Sequence, residues 1–200
     1  WRIVRRSMPL PLSIDDFGTR IASVWSELRP ATRGLIERAL QAASNGTQTP
    51  RNFQYDARAD LELSRFLAAL DAEKNGKLKS IADTCAAVLL EKTESAEVFA
   101  QLVHRAETQR DYRRIDILAD ALTARFPPSE ICELARSEDT IVRELANEAL
   151  ARCPVSVLTA LLNDPVDAET ARAALRRQVI EYGSEEARQI SNALDQADEM

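Results

Sequence analysis

The chain has 200 residues, 45% of them hydrophobic and 29% charged, with five glycines and eight prolines. That length gives one domain or one array able to bury roughly 70% of the surface an unfolded chain exposes, and the composition is that of a soluble globular protein. The net charge of −6 argues against nucleic acid as a partner, since such binding works by neutralising phosphates with Lys and Arg.

Other exclusions follow from pattern. No run of 18 apolar residues occurs, so no membrane span is expected. Trp1 to Arg6 lacks the apolar centre of a signal peptide, and a start at Trp1 suggests a fragment or a processed form. Cys85, Cys132 and Cys153 are odd in number and show no metal-type spacing. We expect all three to be reduced core residues, as in a cytoplasmic protein.

Residues 1–12 read as an extended basic arm, and residues 13–56 as a helical hairpin with a loop. Ser13 opens a helix whose stripe is Ile14, Phe17, Ile21, Val24, Trp25 and Leu28, with Pro30 ending it. A second helix from about Thr32 carries Leu35, Ile36, Ala39, Leu40 and Ala43. The polar stretch 44–56, with Gly46 and Pro50, reads as the loop. Trp25 is expected in the core.

From residue 57 a two-helix rhythm begins. Leu63, Phe66, Leu67 and Leu70 precede a turn at Asn75-Gly76, and Leu78, Ile81, Ala82, Cys85, Val88 and Leu89 follow it. Val98, Phe99, Leu102 and Val103 precede a turn near Gln109. Ile115, Leu118, Ala119, Leu122 and Phe126 come next, until Pro127-Pro128 stops the helix. Two further units run from Pro128 to Gly183, with Val142-Arg143 matching Ala171-Arg172 and Leu150 matching Val179. Gly183 suits a left-handed helix end. The polar segment from Ser184 to about residue 196 reads as a cap on the stack.

Paired helices repeating at 27 to 32 residues predict an all-α, right-handed α-solenoid of antiparallel helix pairs, with an N-terminal helical hairpin and a C-terminal capping helix. On the Val142-Arg143, Ala171-Arg172, Ala121-Leu122 and Ala149-Leu150 pairs, residues 57 to about 183, within a repeat-and-cap array of 57–200, resemble the HEAT/armadillo-type solenoid superfamily. That resemblance implies a non-enzymatic scaffold or adaptor whose concave face, lined by the second helix of each unit, holds a partner peptide or helix. Candidate contacts are Arg143, Asn147, Arg172 and Arg176, although Arg143 and Arg172 could equally tie one unit to the next. A second reading is a DNA-repair protein like the HEAT-fold alkylpurine glycosylases. The acidic balance of residues 128–200, seven Arg against fifteen Asp and Glu, departs from their basic channel. A third is a regulatory domain of a larger protein.

Local clusters of polar residues each have a simpler role beside a functional one. Arg105, Arg110, Tyr112, Arg113 and Arg114 form the densest basic segment, either an anion patch or, as we favour, a solvated turn with Asp111 as a helix N-cap. His104, the only histidine, would have to serve any catalytic triad or zinc site, but reads as a surface side chain on an amphipathic helix. Carboxylate pairs Asp15-Asp16, Glu138-Asp139 and Glu185-Glu186 sit at expected helix starts, where they complement the helix dipole. No Gly-rich phosphate loop and no hydrolase motif occurs. No cofactor and no bound metal are expected.

Overall fold

The structure is a computed structural model that describes residues 18–44, 55–73 and 76–198. The proposed basic arm, the Ser13 helix start with Ile14 and Phe17, most of the 44–56 loop and Asn75 of the Asn75-Gly76 turn lie outside the described residues. Among the described residues there are eleven helices and no strand. They are α1 (Thr19–Glu27), α2 (Pro30–Ser44), α3 (Ala57–Ala72), α4 (Gly76–Lys92), α5 (Ala96–Thr108), α6 (Tyr112–Arg125), α7 (Pro128–Ala135), α8 (Thr140–Ala151), α9 (Val155–Leu161), α10 (Ala168–Tyr182) and α11 (Glu185–Asp198). None of them is long and apolar enough to cross a membrane. The chain forms two compact units, Trp1–Leu89 and Leu90–Met200, divided within α4.

In the first unit α1 and α2 both pack on α3. Leu63, Phe66 and Leu67 of α3 are fully buried, as are Ile21 of α1 and Ile36 and Ala39 of α2. Apolar residues recur at helical spacing, so each helix has one face that must be covered. Trp25 departs from the expected core role: it is half-buried and lies against the Phe66 ring with centroids 5.3 Å apart. Pro30 follows the end of α1, capped at Leu28, and has a second role. It is the first residue of α2, a position where its missing N–H would have had no intrahelical partner anyway.

In the second unit successive helices pack in pairs, α5 with α6, α7 with α8 and α9 with α10. The first helices of neighbouring pairs also touch, α5 with α7 and α7 with α9. So do the second helices, α6 with α8 and α8 with α10, and α11 lies on α10. The core runs through Phe99, Leu118, Leu122, Cys132, Val142, Ala146, Leu150, Leu158, Ala171 and Leu175, all fully buried.

Local chemistry sets the starts of these helices. Asp111, Asp139 and Asp167 are the N-caps of α6, α8 and α10, each 28 residues after the one before. Asp111 accepts from the backbone N–H of Arg114, and Asp139 from those of Ile141 and Val142. Asp167 is buried and instead receives the Arg136 guanidinium, 2.8 Å away at the end of α7. Gly183 takes the expected left-handed conformation, φ 63°, at the end of α10.

The end of α5 is less conventional. Asp111 N–H donates to the Ala106 carbonyl and Arg110 N–H to the Glu107 carbonyl, the two bonds of a Schellman closure. The residue at the left-handed position is Arg110, φ 55°, where glycine is the usual occupant.

Candidate functional site

A groove of the second unit lies where α8 ends beside α10. The ends of helices leave backbone carbonyls without intrahelical partners, and α8 has its last ones covered by a side chain from the neighbouring pair. Gln178 of α10, buried, donates from Nε2 to the carbonyls of Ala151 (3.1 Å) and Cys153 (2.6 Å). Rotating the amide would set its oxygen against two carbonyls, so the two bonds fix its orientation. Oε1 is then buried without a hydrogen-bond partner. A groove of about 390 Å³ opens here, lined by Ala151, Arg152, Pro154, Val155, Gln178 and Tyr182, with Cys153 and Ser184 completing it.

A charged network borders the groove. Arg177 reaches Glu181 at 2.7 Å, Glu148 at 3.4 Å and Glu144 at 3.7 Å. Glu148 also pairs with Arg152 at 2.7 Å and accepts from the Tyr182 hydroxyl at 3.3 Å. The Tyr182 phenol, followed by Glu148, raises the guanidinium pKa of Arg152, and Glu181, followed by Glu148 and Glu144, raises that of Arg177. Tyr182 remains 53% exposed.

The expected partner contacts lie on α8 and α10. The guanidinium of Arg143 donates to the carbonyls of Ser137 (2.9 Å) and Glu138 (3.3 Å), holding the turn before its own helix. Arg176 pairs with Asp195 of α11 at 3.0 Å. Arg172 and Asn147 are half-buried on α10 and α8, and Arg172 has interactions of its own.

The basic segment is corrected by burial. Arg105 is only 6% exposed and faces inward, so it contributes nothing to a surface patch. On an amphipathic helix it sits between Leu102 and Ala106, on the buried stripe, which a count of charges along the sequence does not reveal. Arg114 is half-buried and lies 3.5 Å from Asp111, leaving Arg110, Tyr112 and Arg113 exposed.

Cys85 and Cys132 are buried, as expected, whereas Cys153 is half-buried at the groove. Burial pushes the Cys132 thiol up to about 12, with the Asp167 carboxylate adding to the shift, and burial raises Cys153 too. Neither environment activates a thiolate. His104 is exposed, as expected. Less expected is its company: Glu107 on the same helix and Asp139 at the start of α8 bring their ligand atoms and that of His104 within 4.8 Å of one another.

The register that pairs Leu150 with Val179 hides Gln178 in the sequence. Counted from the N-cap aspartates, Leu122, Leu150 and Gln178 share one position, and Gln178 is the buried residue while Val179 is only half-buried. Equal spacing of Asp111, Asp139 and Asp167 was the available signal. No protein-family model matches the chain, and comparison with curated proteins and with solved structures finds no match either.

Proposed function

We propose that this chain is a non-enzymatic interaction module, a right-handed α-solenoid of antiparallel helix pairs that binds a short segment of a partner protein. The order of packing supports the solenoid: first helices touch first helices and second helices touch second helices along α5 to α10. Repeated N-caps at a constant 28 residues support it as well.

The observation that carries the binding role is the groove at the α8 end. It is lined by the apolar side chains of Ala151, Pro154 and Val155. Tyr182 offers a docked peptide an exposed ring beside them. Glu144, Glu148 and Glu181 against Arg152 and Arg177 favour a basic residue in that peptide. Arg143 belongs to the fold in this reading, and Arg172 and Asn147 are peripheral contacts.

A peptide-array screen with the purified chain, followed by titration of the hits, tests this. Tyr182→Ala, on an exposed ring, should weaken binding by about tenfold, in line with loss of an aromatic anchor. Arg113→Ala should leave it unchanged. Hits indifferent to Tyr182→Ala, or salt-sensitive binding of duplex DNA in place of peptides, would remove this reading.

A further inference from the structure

His104, Glu107 and Asp139 form a cluster that the peptide groove does not use. His104 and Glu107 are three residues apart on α5, so they rise from one side of the helix about one turn apart. Asp139 comes from a different helix pair, as the N-cap of α8. Its Oδ1 is held by the backbone N–H groups of Ile141 (2.8 Å) and Val142 (3.1 Å), which fixes the carboxylate. Both of those bonds fall on Oδ1, so Oδ2 is the oxygen left for a cation. Arg143, four residues after Asp139, is directed at the Ser137 and Glu138 carbonyls, and Arg136, three residues before it, at Asp167.

We propose that these three side chains constitute a binding site for a divalent transition-metal ion of the zinc class. An imidazole nitrogen with two carboxylate oxygens is a borderline donor set that suits Zn²⁺ over Ca²⁺ or Mg²⁺, which prefer oxygen alone. Ligand atoms bound at about 2.0–2.2 Å to one tetrahedral ion lie roughly 3.4 Å apart. The ligand atoms now lie within 4.8 Å of one another, and His104 and Glu107, both exposed, have room to rotate towards that value. Three protein ligands leave a fourth position open to water or to a donor from outside the chain. The ion ties α5 to the α7–α8 turn, and thus one helix pair to the next.

Isothermal titration of the chelator-stripped chain with Zn²⁺ is the test, with Co²⁺ absorption as the report on ligand geometry. We expect one ion per chain, tetrahedral Co²⁺ bands, and a rise in melting temperature on addition of Zn²⁺. His104→Gln and Glu107→Gln, both at exposed positions, should each weaken binding by at least about tenfold. Asp139→Asn keeps the N-cap and should do the same. Cys153→Ser should bind as tightly as the parent. The site is overturned if Zn²⁺ fails to bind in the micromolar range, or if binding survives His104→Gln and Glu107→Gln. It is equally overturned if binding is lost in Cys153→Ser.

Discussion

The two units hold their helices together in different ways. In the first, one arginine joins three elements: Arg29, between α1 and α2, is bidentate to Asp56 at 2.7 and 3.0 Å and reaches Glu62 of α3 at 2.9 Å. Thr32 donates to the same Glu62 at 2.5 Å, and Tyr55 to the buried carboxylate of Asp60. The second unit has ion pairs of its own, and adds groups from one helix pair that close backbone ends of another. Glu130 of α7 accepts from the N–H of Ala96 at the start of α5, at 2.8 Å. Arg125 of α6 donates to the carbonyls of Leu90 and Glu91, and Gln178 does so for the end of α8. Ion pairs at the first unit's surface depend on pH and salt, whereas bonds to orphan carbonyls do not.

The largest effect should come from the shared apolar core of the second unit. Leu150→Ala removes a fully buried side chain and should cost about 2–5 kcal/mol, read by denaturant unfolding. Hydrogen exchange should show the loss in the amides of α7 to α10. A loss below 1 kcal/mol would mean that the repeat core is loosely packed.

An acid titration separates the units more directly. The Arg29 guanidinium, with the Ala59 N–H, lowers the Asp56 carboxyl from 3.8 to about 2. Burial pushes Glu62 up, but the bonds from Thr32 and Arg29 outweigh it and its pKa falls below 4.5. Both groups bind protons less readily when folded, so their contribution is complete above their ordinary values. It is lost as pH falls through 4.5 towards 2. Exchange protection in α1 to α3 should therefore decline over that window, and Arg29→Ala should flatten the decline. Equal acid sensitivity in parent and variant would assign the effect elsewhere.

The smallest expected change is a gain. Arg110→Gly relieves a left-handed backbone that costs an L-residue roughly 1 kcal/mol, and thermal melting should rise by a few degrees. No rise would place the helix end under some other constraint.

Periodicity alone showed that this chain is helical, roughly where helices stop, and which faces are apolar, because spacing along one helix is a local property. Leu122, Leu150 and Phe99 could be placed inside, and Asp111 at an N-cap, from neighbours a few residues away. What tertiary structure decided was which polar groups meet across helices. Arg105 turned inward, Gln178 took a position filled by leucine in the two preceding pairs, and His104 met Asp139 from 35 positions further on. These depend on the register between packed helices, and a shift of one residue between Val179 and Gln178 is enough to change which side chain reaches a neighbour's carbonyls.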